Sequence, residues 1–384
     1  MFEKTAKSRL YWPAVLCFCL LAVVGNSPCP GAASTEKAES PPASSDLWDP
    51  AKYIDLDEIR PGMDGYCLTE YGVEGIEKFG LKVVDVVRDF EPGRDIILVK
   101  GTDDRFIHTG PVAGCSGSPV YIDGRMAGAL AYAWTYSKDP LYGATAIRDM
   151  LRIGLGKVQQ PEPAFVFDYS KPIDLDEIDR QITSSLASPV RRSGISTLPC
   201  PLITSGFSPK ACEQLDAAVK PFGFMVVPGI GGASAAGGGG ADADAEQLPF
   251  SPGSCLALPL VSGDMTMAVY GTVTEVRDGS VYGFGHPFQG HGAVDLPMAV
   301  GKVHTVIATI SRSSKLAAVV KTVGALRSDE GSGILGKIGE EARTFPVKVR
   351  IDRYNDSERV YNCQVASSKM LTPASIRSII AGAA

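Results

Sequence analysis

The chain has 384 residues, of which 45% are hydrophobic and 21% charged, so it is long enough for two domains and a sizeable core. Its formal net charge of -6 comes without any basic stripe, which excludes nucleic acid as a partner. The 42 glycines recur beside short β-type runs and point to a mostly β body with many turns.

The N-terminus reads as a targeting segment. Lys4, Lys7 and Arg9 precede an apolar run from Leu10 to Val24, interrupted by Pro13, and small residues follow at Gly31-Ala32-Ala33-Ser34. That order is a secretory signal, so residues 1–34 are expected to be removed on export. The run is too short to span a bilayer comfortably, and no stable membrane span is expected after cleavage. Cys29 lacks the small-aliphatic lead-in of a lipoprotein site. Residues 35–52 are rich in Pro, Ser, Glu and Ala and read as a flexible linker. Beyond the signal lie Cys67, Cys115, Cys200, Cys212, Cys255 and Cys363. Their spacing matches no metal pattern, and neither metal nor cofactor is expected. Cys200 and Cys212 are near enough in sequence to close a loop; unpaired, semi-buried cysteines fit equally well.

Residues 53–150 form a first β block. "LKVVDVV" and "DIILVKG" are strand-like runs around a turn at Glu91-Pro92-Gly93, and "PVYI" and "RMAGALAYAW" flank the hairpin signal Asp123-Gly124. Residues 151–252 change character and read as a connector, with one helical stretch, "PIDLDEIDRQITSSLA", and a low-complexity loop from Gly229 to Ala245. A second β block covers 253–340, where "MAVYGTVTEV" and "SVYGFGH" lie either side of Asp278-Gly279 and "KVHTVIATI" alternates like a half-buried strand. Residues 341–384, led by "TFPVKVRIDR", read as a β-type extension.

The chemistry concentrates in one turn, Gly114-Cys115-Ser116-Gly117-Ser118-Pro119, directly before the first hairpin. It is either a tight loop or a serine nucleophile flanked by oxyanion-binding amides. A serine needs a base to take its proton. The chain holds four histidines, His108, His286, His291 and His304. His286 follows a strand between Gly285, which lets the backbone turn, and Pro287, which fixes the next φ. His291 sits in a looser Gly-His-Gly context, and His304 falls in an alternating strand as a packing or surface residue. Cys115 is a second nucleophile in the turn, but it and Ser116 should point to different sides. Taken alone, these residues leave the plain turn and the catalytic site both standing.

"GCSGSPVYIDGRMAGAL" resembles the Ser loop of the SpoIVB-type serine peptidases, the sporulation signalling proteases. The resemblance extends through "EKFGLKVVDVV", "VKGTDDRF" and "YGATAIRDML", and "GTVTEVRDGSVYGFGHPF" is similar to the family's His segment. Together these stretches cover Pro61 to Met150 and Gly253 to Gly339. The resemblance implies a chymotrypsin-like two-barrel β fold, with Ser116 as nucleophile, His286 as general base and Asp103, beside Asp104, as the acid that holds the imidazole. It also implies an oxyanion hole made by the amides of Gly114 and Ser116. In the sporulation enzyme the His segment comes first; here the Ser segment does, as a circular permutation would give. No peptide-binding module of the kind that family carries is visible. The expectation is an exported serine endopeptidase acting on polypeptides. The alternatives are a catalytically inactive two-barrel protein-binding scaffold of the cell envelope, and an envelope protein whose Gly-Ser turn is only a turn.

Overall fold

A computed structural model of the chain describes residues 47–134, 136–156, 195–229, 250–352, 358–368 and 371–383. The expected signal, the helical stretch "PIDLDEIDRQITSSLA" and the glycine-rich run from position 230 lie outside these residues.

The first β block supplies β1 (Asp64–Gly72), β2 (Gly75–Glu91), β3 (Arg94–Gly101), a short helix α1 (Asp104–Thr109), β4 (Val112–Ala113), β5 (Pro119–Ile122), β6 (Arg125–Trp134), β7 (Leu141–Ala146) and α2 (Ile147–Met150). The second supplies β11 (Cys255–Gly263), β12 (Thr266–Arg277), β13 (Ser280–Gly283), β14 (Gly292–Ile307), β15 (Ser313–Glu330) and β16 (Gly333–Ile338). Both expected hairpins form. Asp123 and Gly124 take φ of 50° and 72°, and Asp278 and Gly279 take 49° and 71°. Two successive positive φ values are what a two-residue loop needs to match the twist of its strands, and Asp-Gly tolerates them.

The fold is mostly β, in two sheets, and each sheet contains a closed ring of antiparallel pairings. In the first, β1 pairs β2, then β3, β7, β6 and β5 follow in turn, and β5 returns to β1. In the second, β11 pairs β12, then β13, β16, β15 and β14 follow, and β14 returns to β11. Counted along the chain within each ring, both orders run first, second, third, sixth, fifth, fourth and back to first. Closure pairs each strand on both sides within its ring and leaves edges where β6, β11 and β12 overhang it, and there β8 (Ile195–Thr197), β18 (Arg359–Ala366) and β9 (Cys200–Ser205) pair in turn.

Each ring has its own core. Phe79, Val99, Phe106, Val120 and Tyr142 fill the first; Leu258, Val269, Phe284, Met298 and Leu326 fill the second. A third cluster joins Met126, Ile147 and Met150 of the first block to Tyr282 and Leu335 of the second. Burying each such side chain contributes about 1.5–3 kcal/mol, so this seam holds the rings together as well as covering them.

The connector is more structured than its sequence suggests. It adds β8 (Ile195–Thr197) to the outer end of β6 and β9 (Cys200–Ser205) to β12, with β10 (Phe224–Pro228) parallel to β9. A helix, α3 (Pro209–Val219), starts at Ser208, whose hydroxyl accepts from the Ala211 amide, with Pro209 in its first turn. The C-terminal piece forms the expected strands β17 (Thr344–Ile351) and β18 (Arg359–Ala366), then departs from a purely β extension by ending in α4 (Leu371–Ala383). Its buried residues Leu371, Ser375, Ser378, Ile379 and Ala383 follow a helical period, but they are too small and polar to show it as an apolar stripe. The six cysteines beyond the signal are free and buried, and the loop-closing Cys200–Cys212 bridge is not formed.

Candidate active site

Ser116 lies in the connection between the third and fourth strands of the first ring. The connection can turn this tightly because Gly114 and Gly117 take φ of 93° and 91°. Gly117 has no room for a side chain: a Cβ there would stand 2.0 Å from the Thr272 carbonyl and 2.4 Å from the Phe284 amide nitrogen. The loop is fastened by the opposite ring. The Thr272 amide donates to the Ser116 carbonyl at 2.8 Å, the Thr272 hydroxyl to the Gly114 carbonyl at 2.9 Å, and the Thr274 hydroxyl to the Gly117 carbonyl at 2.7 Å. Beneath the loop, the buried Lys315 ammonium donates to the hydroxyls of Thr69 and Thr272 at 2.7 and 3.0 Å. A buried lysine reads as a surface residue in sequence and was not anticipated; here it ties β1, β12 and β15 together.

His286 lies in the corresponding connection of the second ring, again between the third and fourth strands. Phe284 and Gly285 turn the chain with φ of 66° and 68°. Phe284 is not glycine, so the turn is strained and must be held by its surroundings. Its ring is buried in the core, and the Gly285 carbonyl accepts from the Thr145 hydroxyl of β7 at 2.5 Å. The rest of the loop is organised by Asp329, at the end of β15, whose carboxylate accepts from the amides of Phe288, Gln289 and Gly290 at 2.7–2.8 Å. Burial pushes this carboxyl up to about 6, against the pull of those amides. Asp329 was missed in the sequence, where nothing separates it from the chain's other acids.

The two loops meet at the seam, since Gly117 packs on Phe284 and Gly285 on Ala129 and Ala131 of β6. Ser116 and His286 are 0% and 3% exposed. The Nδ1 atom of His286 is 2.8 Å from the Pro287 carbonyl, which fixes it as the protonated nitrogen and leaves the Nε2 lone pair free. Among the described residues Nε2 has no hydrogen-bond partner. Burial lowers the imidazole to about 4, with the Pro287 and Leu198 carbonyls drawing it partly back up. It is therefore neutral near pH 7, the form a general base requires.

Three of the expected contacts are not formed. The Ser116 hydroxyl contacts the Cys200 sulfur at 3.8 Å and is not hydrogen-bonded to His286. Asp103 does not hold the imidazole: it caps α1, accepting from the Arg105 amide at 3.0 Å and its Nε at 3.2 Å. Asp is a favoured N-cap, and its helix turns it to that local role, with Asp104 in the first turn behind it. Of the two expected oxyanion donors, the Gly114 amide is engaged at 3.2 Å by the Pro199 carbonyl. Cys115 does face away from Ser116, into the core beside Lys315 and Thr69, and burial raises its thiol, which keeps it from acting as a thiolate nucleophile. His108 and His304 are exposed and His291 half-buried. Among the described residues no cluster of His, Cys, Asp or Glu is arranged to hold a metal, and no helix is long and apolar enough to cross a membrane.

No family model, no curated protein and no solved structure matches this chain. The functional reading therefore rests on the site itself.

Proposed function

We propose that the chain is an exported serine endopeptidase whose two rings are the barrels of a circularly permuted chymotrypsin-like fold. The observation that carries this reading is positional. Ser116 and His286 occupy the same connection of two rings with the same strand order, and the loops bearing them meet at one seam. That correspondence supports a common role for the two side chains. In the proposed chemistry His286 Nε2 takes the Ser116 proton as Oγ attacks a peptide carbonyl, the amide of Gly114 stabilises the oxyanion, and His286 returns the proton to the leaving amine. The Pro287 carbonyl does the orienting that Asp103 was expected to do, by holding Nδ1–H.

A serine-directed covalent probe tests this. Ser116 should be labelled and Ser116→Ala not, while Ser118→Ala and Cys115→Ala keep the label. His286→Ala should be as damaging to hydrolysis as Ser116→Ala, each costing about 10³-fold or more, and the double variant little worse. A folded protein that is never labelled at Ser116 would favour an inactive two-barrel binding scaffold, a reading that the unformed Ser116–His286 hydrogen bond supports.

A further inference from the structure

Two atoms that the serine peptidase reading assigns to the reaction, the Ser116 hydroxyl and the Gly114 amide, are occupied by one short piece of the connector. β8 lies antiparallel on β6, with Thr197 opposite Tyr132, Ser196 opposite Ala133 and Ile195 opposite Trp134. The pairing continues one residue further, where the Leu198 amide donates to the Ala131 carbonyl at 2.7 Å. Pro199 then delivers its carbonyl to the Gly114 amide, and the Cys200 side chain rests on the Ser116 hydroxyl. The Leu198 carbonyl faces the His286 imidazole. After Cys200 the chain leaves the first ring and joins the second as β9, on the edge of β12. The segment crosses the seam directly over the two loops, and Leu198, 1% exposed, seals it.

We propose that Ile195–Cys200 is a built-in strap that occupies the place of a substrate strand, and that an extended polypeptide reaches the site by displacing it along β6. The inference rests on the serine peptidase reading for the identity of the site, but the strap itself is a matter of geometry. A peptidase holds its substrate extended, by adding it as a strand to an edge, and this is how β8 is held. The carbonyl that meets the oxyanion donor belongs to Pro199, so the Pro199–Cys200 bond stands where a bond to be cut would stand. It is not presented for cutting. Cys200 opens a strand paired on both sides, by β10 and β12, which fixes the leaving portion, and Ser116 faces a side chain in place of a hydrogen-bonded base. The same geometry describes the substrate: an extended chain whose backbone replaces Ile195–Thr197 on β6, with an aliphatic side chain in the position of Leu198 and a small or proline residue in that of Pro199.

The test combines amide hydrogen exchange with probe labelling on the full chain, for the wild type, Leu198→Ala and Leu198→Asp. A buried aspartate disfavours the seated strap far more than an alanine. In the wild type the amides of Leu198 and Gly114 should be protected. In Leu198→Asp both should exchange, and Ser116 should be labelled at least about tenfold faster, with Leu198→Ala between. Retained exchange protection elsewhere in both rings shows that the fold survives. Lost protection without labelling of any form keeps the strap and sinks the peptidase reading. Wild-type labelling as fast as in Leu198→Asp, or unprotected Leu198 and Gly114 amides in the wild type, overturns the strap and leaves the peptidase reading intact.

Discussion

The ring that carries Ser116 and the ring that carries His286 share a strand order, and each presents its key side chain from the connection after its third strand. They brace those connections in different ways. The Ser loop takes three bonds from the other ring, through Thr272 and Thr274 of β12, beside two from its own β6, where the Gly117 amide donates to the Leu130 carbonyl and the Leu130 amide to the Ser118 carbonyl. The His loop is held chiefly by its own ring, through the Asp329 carboxylate, with Thr145 adding one bond from across the seam. Separate the rings and the Ser loop loses the three bonds from β12, while the His loop loses the one from Thr145. The junction of the two loops is thus a property of the docked pair, and its Ser116 half takes more of its bonds from docking than its His286 half.

The two loops differ most in what a side chain at their turn glycines would meet. Gly117→Ala drives a Cβ into the backbone of β12 and of Phe284, at 2.0 and 2.4 Å, from a φ of 91°. Backbone cannot swing aside as a side chain can, so the rings must part locally. A loss of about 3 kcal/mol or more is expected in urea unfolding. Gly285→Ala has more room, with the methyl groups of Ala131 and Ala129 at 3.2 and 3.3 Å and the Ala129 carbonyl at 3.3 Å, and a φ of 68°. Its cost should be nearer about 1–2 kcal/mol. Equal losses would contradict the unequal bracing.

Asp329→Asn acts on the His loop alone. Asparagine keeps one acceptor oxygen but turns an NH₂ group toward amides that need an acceptor. About 2 kcal/mol should be lost. The amides of Phe288, Gln289 and Gly290 should gain exchange, while those of Gly117 and Ser118 in the Ser loop should not. Faster exchange in both loops would mean that Asp329 supports the seam as a whole and not the His loop alone.

What was legible in the sequence was what local chemistry dictates. Asp123-Gly124 and Asp278-Gly279 allow few backbones other than a tight hairpin, and their hairpins are there. Ser116 and His286 stood out because glycine and proline around them constrain the chain. What was not legible is set by ring closure and docking. Lys315 sits in a run that reads as an ordinary strand, and only the approach of β1 and β12 gives its ammonium two hydroxyl partners. Asp103 was assigned to the imidazole from its motif position, but the helix it starts claims its carboxylate first. Leu198 to Cys200 is too short to show any periodicity, and its contacts are all with residues distant in the chain.

The pH dependence of stability is the effect most specific to His286 itself. The His286 pKa is depressed from 6.5 to about 4 because burial penalises its charged form. A depressed folded-state pKa favours the fold above the unfolded value, and that contribution is lost as pH falls from 6.5 toward 4. Between pH 7 and pH 5 the loss amounts to about 2 kcal/mol. Asp329 acts in the opposite sense. Its carboxyl is raised from 3.8 to about 6, so its contribution is largest in acid and disappears as pH rises through that range. The wild-type curve alone therefore shows only the partial cancellation of the two, and the difference between proteins is the quantity to follow. Stability of the wild type relative to His286→Gln should fall by about 2 kcal/mol from pH 7 to pH 5, read by urea unfolding at each pH. The same comparison made in a Leu198→Asp background should give a smaller difference, because an imidazole no longer covered by the strap regains water and with it a pKa closer to 6.5. An undiminished difference in that background would mean that the seam between the rings, and not the strap, keeps water from His286.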